Sequence, residues 1–102
     1  MAPVVFDTNI LIDVLKGYEQ ALAELAHWDE RYMSAMTWME VLAGTDSAQE
    51  DRFSEILKAV DIAVVPITES IMNNAARLCA VGHRRGPEIH LPDAIIKATA
   101  AQ

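Results

Sequence analysis

Cysteine is nearly absent: Cys79 is the single thiol in 102 residues. One thiol forms no internal disulfide, so the chain is expected to work in a reducing cytoplasm. Basic residues are scarce as well, with 8 Lys and Arg against 15 Asp and Glu and a formal charge of −7. That weighs against gripping nucleic acid by bulk electrostatics, which takes clustered cations facing phosphates. It suits a metal ion or a basic partner instead. No apolar run approaches the length of a bilayer span. The opening residues lack the basic segment of a secretory leader, and Asp7 and Asp13 interrupt the apolar stretch a leader needs. No membrane association is expected. Repeats, low-complexity segments and linkers are missing too, and His27, His83 and His90 are too scattered for a zinc signature.

The chain does have apolar residues in quantity, 52% of the total against 23% charged, which fits one globular domain over residues 1–102. Val4 to Phe6 reads as a short buried strand. Ile10, Leu11, Val14 and Leu15 share one helical face, and Gly17 is placed as its stop. Tyr18, Leu22 and Leu25 mark a second helix to about His27. Tyr32 to Met36 suits a second strand, and Thr37 to Leu42 a helix that Gly44 ends. Phe53, Ile56, Leu57 and Val60 give an amphipathic helix. Ile62 to Ile67 is the clearest strand, with Pro66 as terminator. Thr68 to Val81 repeats at helical spacing, Gly82 to His90 reads as a loop, and Leu91 onward as helix. Strands alternating with helices imply parallel strands and an α/β sandwich.

Three acids share a local setting. Asp7 follows the first strand, Glu40 follows the second, and Asp93 comes just after Pro92, so each is expected near a helix start. Each has an ordinary structural reading: Asp7 as an N-cap, Glu40 as the partner of Thr37 in a capping box, Asp93 as a complement to the helix dipole. Those readings leave Asn9 and Asp13 unexplained. They lie four apart, on a face that begins beside Asp7, and Asp13 is set among Ile10, Leu11, Ile12, Val14 and Leu15. In a parallel sheet the strand-to-helix turns gather on one edge, so the carboxylates are candidates for convergence. A cation would then join them. Hard oxygen ligands without Cys select Mg2+ or Mn2+, and such a site polarises phosphoryl oxygens and activates water.

Three segments also carry a resemblance. Val-Val-Phe-Asp-Thr-Asn-Ile-Leu-Ile-Asp at 4–13, Met-Thr-Trp-Met-Glu-Val-Leu-Ala-Gly at 36–44 and Leu-Pro-Asp-Ala-Ile-Ile-Lys-Ala-Thr-Ala at 91–100 resemble the PIN domain. More narrowly they resemble VapC-type toxins, the ribonucleases of type II toxin–antitoxin modules. The resemblance implies a three-layer α/β/α fold with a short parallel sheet and a Mg2+-dependent endoribonuclease in which Mn2+ can substitute. By position Asp7 and Asp93 match the family's principal metal ligands, and Glu40 matches the acid that completes the cluster. Asn9 and Asp13 match supporting positions, and Thr8 lies where a contact to metal-bound water or phosphate is expected. An RNA substrate, a homodimer and a cognate antitoxin with a basic segment are implied as partners. The family pattern continues with a further strand, another acid or hydroxyl and a last strand, whereas this chain stops at Gln102. The expectation is therefore a C-terminally short domain in which Val4–Phe6 lacks a neighbour.

Arg84 and Arg85 in the expected loop, and Lys97 four residues after Asp93, are candidates for RNA contact, with Lys97 also placed to pair with Asp93. Trp28 and Trp38 are candidates for base stacking, although Trp38 beside Met39 and Val41 reads as core. Met33, Met36, Met39 and Met72 read as core fillers. Two other functions compete with the nuclease. A haloacid-dehalogenase phosphatase needs a second Asp where this chain has Asn9. A non-catalytic remnant would retain only antitoxin binding or dimerisation.

Overall fold

A computed structural model describes residues 3–102. In chain order it holds β1 (Val4–Phe6), α1 (Thr8–Leu15), α2 (Glu19–His27), β2 (Arg31–Ser34), α3 (Ala35–Ala43), α4 (Ser47–Val60), β3 (Ile62–Val65), α5 (Glu69–Arg85) and α6 (Leu91–Ala100). The strands form one parallel sheet in the order β1-β2-β3, with Phe6 opposite Met33 and Met33 opposite Val64. The α/β sandwich expected from strand and helix alternation is the fold found.

The sheet is covered on both faces, which makes three layers. On one side Phe6, Met33 and Ile62 pack with Leu11, Val14, Leu25, Val41 and Phe53 from the first four helices. On the other, Val65 and Ile67 pack with a smaller core of Ile71 and Ala75 from α5 and Ala94 and Ala98 from α6. Alanine at three of those four positions lets α5 and α6 approach closely. Burial of the large core side chains contributes on the order of 1.5–3 kcal/mol each. Trp38 lies against Phe53 with ring centroids 5.5 Å apart, so it belongs to the core, as its neighbours implied.

Helix ends follow local chemistry. Asp7 accepts from Ile10 N at 3.0 Å and caps α1, and Gly17, at φ +85°, turns the chain out of it. Asp46 and Gln49 form a reciprocal capping box on α4. Arg31, the first residue of β2, donates Nε to Leu25 O at 2.6 Å and Nη1 to Val60 O. A single guanidinium thus holds the last carbonyls of α2 and α4 against the sheet, where the negative end of each helix dipole welcomes it.

Three expectations are corrected. The helix after β2 starts at Ala35 rather than Thr37, because Ser34 is the cap: its hydroxyl accepts from Met36 N at 3.1 Å. Thr37 and Glu40 therefore form no capping box; Thr37 is fully buried and Glu40 lies in the second turn. The second correction concerns α5, which runs on to Arg85 and takes in Gly82, Arg84 and Arg85. Gly82 lies inside that helix. A Cβ on it would sit 2.7 Å from Pro87 O and 3.2 Å from Ile89 N, so the glycine lets the returning chain lie against the helix. Third, Met39 and Met72 are about half exposed, at 47% and 54%, and only Met33 is fully buried.

Gly82→Ala is expected to destabilise the protein by roughly 1–3 kcal/mol, because the obstructing atoms are backbone and cannot swing away. Urea denaturation measures this, and an unchanged midpoint would contradict the packing of 87–89 on α5.

Candidate active site

The parallel arrangement sends every strand toward the same edge. Phe6 and Met33 are opposite one another, so Asp7 leaves β1 beside the point where Ser34 caps α3. Glu40, in the next turn of α3, reaches back toward α1. Thr8 Oγ1 donates to Glu40 Oε1 at 2.7 Å and lies 3.4 Å from the buried Thr37 hydroxyl. A hydrogen bond to a charged acceptor contributes about 1.5–3 kcal/mol net. This one fixes the half-buried Glu40 with one oxygen engaged. Asp93 enters from α6, in the first turn after Pro92.

These side chains line one cavity of about 600 Å3: Asp7, Thr8, Asn9, Glu40, Asp93 and Lys97, with Pro87 to His90 as the far wall. The segment 87–90 brings Glu88, a further carboxylate, and His90. Asp13 is not in this cavity. It lines an adjoining hollow of about 370 Å3 with Glu24, and Asp7 and Asn9 border both spaces. Arg84 and Arg85 line neither; Arg84 Nε instead donates to Ala80 O at 3.2 Å in the last turns of α5. Lys97 does face the cavity, but without the anticipated ion pair. Among the described residues the one such contact joins His83 Nδ1 and Glu88 Oε1 at 3.5 Å.

Nor do any three acidic, histidine or cysteine side chains among the described residues stand close enough to hold an ion as they are. Two of the acids are engaged locally instead: Asp7 accepts from Ile10 N, and Glu40 accepts from Thr8. The donor set still fits a hard divalent ion. All contributors are oxygens, and one oxygen each of Asp7 and Glu40 is unengaged among the described residues. Asp7 and Asp93 are both exposed.

The model of the PIN domain matches residues 4–102. This chain belongs to the PIN domain family. Among solved structures it is similar to a chain of a toxin–antitoxin complex from Klebsiella pneumoniae, at 31% identity and a TM-score of 0.77. That match covers 96% of this chain and 78% of the other. No curated protein matches it. PIN domains are generally nucleases that use divalent metals.

Sequence reasoning did not find Glu88. Nothing in Gly-Pro-Glu-Ile-His marks it as a cavity residue, and the only clue was the helical Gly82 to which that segment returns.

Replacing Thr8 by Val keeps the shape of the PIN domain's first turn but leaves Glu40 Oε1 without its donor. A loss of roughly 1–3 kcal/mol is expected in denaturant titration. No loss would mean that water serves Glu40 equally well.

Proposed function

We propose that this PIN domain is the toxin of a toxin–antitoxin pair, a Mg2+-dependent endoribonuclease of the VapC type. It acts in the cytoplasm on RNA and is restrained by a cognate antitoxin. The supporting observation is the single cavity that Asp7, Glu40 and Asp93 line at the edge where the parallel strands deliver their turns. The similarity to a chain of a toxin–antitoxin complex supports the partner.

Asp7, Glu40 and Asp93 would hold Mg2+, or Mn2+ in its place. Bound there, the ion supplies Lewis acidity toward a phosphoryl oxygen and lowers the pKa of a coordinated water. The chain's own residues do the rest. Asn9 offers an amide for orienting substrate or water, and Thr8 holds Glu40 in position. Lys97 is the cation of the cavity best suited to a phosphate. Asp13 acts from the adjoining hollow through its effect on Asp7 and Asn9. A basic antitoxin segment suits a cavity with four carboxylates and suits the net charge of −7. Homodimerisation belongs to the same reading.

Two observations favour a second reading, a non-catalytic module that only binds antitoxin or pairs with its copy. The three acids do not stand at coordinating distance of a common point, and β1 is an edge strand of the sheet.

Two measurements separate the readings. With Mg2+ or Mn2+ the 102-residue chain is expected to cut RNA. Asp7→Asn, Glu40→Gln and Asp93→Asn are each expected to lower the rate by about 100-fold or more, since losing a ligand exceeds the effect of losing a ligand's support. Chelation should abolish cleavage and either ion restore it. Independently of turnover, Mg2+ is expected to raise the melting temperature of the parent and not of Asp7→Asn. RNA cleavage that survives these substitutions would defeat the nuclease assignment. Antitoxin binding with neither cleavage nor a metal-dependent shift would establish the second reading.

A further inference from the structure

Next to the acid cavity lies a groove of about 590 Å3 between α5, the returning segment 86–89 and the second half of α6. Its volume falls in the range of small-ligand clefts, about 300–1,000 Å3. Leu78 and Val81 form one wall, Pro87 and Ile89 the other, and Val81 is 48% exposed although it is apolar. The charged groups lining it among the described residues are Arg77 and Lys97, and no acid is among its lining residues. In a chain with 15 acids against 8 cations, that local balance is reversed. The groove also adjoins the acid cavity, because Pro87, Ile89 and Lys97 line both.

We propose that this groove is a nucleotide subsite of a single-stranded RNA: its apolar walls take the base that neighbours the reacting phosphodiester, and Arg77 and Lys97 take the flanking phosphates. The inference rests on the nuclease reading above. Three features select this occupant. A nucleobase offers an apolar face with polar edges, and Asn74, which lines the groove, can donate to or accept from such an edge. The polyanionic backbone matches the two cations, whereas the basic segment expected of an antitoxin matches the acid cavity and is repelled here. Lys97, on the partition, can face a phosphate shared by the two spaces. A duplex is unsuited, because its bases are stacked inward and cannot enter a cleft. The described walls carry no aromatic ring, so the base is held by apolar contact and its edge rather than by stacking, which predicts modest selectivity.

The test uses Arg77→Glu and Val81→Asp, both at exposed positions on α5 and outside the acid cavity. Binding of a fluorescent six-nucleotide 2′-O-methyl RNA, which resists cleavage, is measured by anisotropy. Hydrolysis of methyl p-nitrophenyl phosphate with Mn2+, a diester with no nucleoside, reads the acid cavity alone. Each variant is expected to bind the oligonucleotide about tenfold more weakly while hydrolysing the small diester at the parent rate. Arg77→Ala should lower the salt dependence of binding by about one phosphate contact. Unchanged oligonucleotide affinity in both charged variants, or no binding by the parent, overturns the subsite. Variants that lose antitoxin affinity but keep oligonucleotide affinity also overturn it, and make the groove a protein contact. A parent that binds the oligonucleotide through the groove but hydrolyses neither RNA nor the small diester defeats the nuclease reading and leaves the groove as an RNA site.

Discussion

The register of β1 on β2 governs this molecule. With Phe6 opposite Met33 in parallel pairing, the two strands end within one residue of each other, and the turns that leave them are forced into the same small volume. A slip of β1 by one residue would turn Phe6, buried in the larger core with Met33, toward the other face. Core packing therefore locks the register, and the register sets Asp7 and Thr8 beside α3. The bond from Thr8 to Glu40 is a consequence of the hydrophobic core rather than an independent feature. A carboxylate 32 positions along the chain from Thr8 is brought to it by apolar residues that take no part in the site.

The two edges of the sheet have opposite assignments. At the edge where strands begin, Arg31 satisfies carbonyls at the ends of two helices. At the edge where strands end, helix starts gather and the acids keep unengaged oxygens. The helix dipoles reinforce this division: cation at the carbonyl ends, carboxylates at the amide ends. Asp7 and Asp93 sit at helix starts. Glu40 does not, and its position is maintained by Thr8 instead.

Legibility in the sequence tracks the range of the forces involved. The three strands and the order of helices are legible because periodicity and β-branched runs are local, and Asp7 as a cap is legible for the same reason. The start of α3 is misplaced by sequence alone because Ser34 and Thr37 are both good caps on paper. Ser34 takes the role because Thr37 is needed underneath Thr8, a contact 29 residues away that the local pattern does not carry. The end of α5 is misplaced for a similar reason: Gly82 opens the stretch that reads as a loop, whereas its place in the structure is a close approach within the helix. The cavity wall at 87–90 is invisible in the sequence because it depends on that approach. Assigning Met39 and Met72 to the core by residue type ignores which side of the helix they occupy.

The charge distribution then bears on how an acidic protein can act on a polyanion. At −7, the chain as a whole repels phosphate, and the acid cavity repels it most strongly. For the proposed reaction, neutralisation at the reacting centre must come from the ion the carboxylates recruit, so metal binding and substrate binding are coupled there. Away from that centre an ion is of no help, and the protein must supply its own cations. Arg77 lies in the groove beside the cavity and outside the acid cluster, where the carboxylates would cancel it. Lys97, placed between the two spaces, marks the boundary where one source of positive charge gives way to the other. Arg84 and Arg85, though adjacent in sequence and the more conspicuous basic pair, are too far along α5 to share in either.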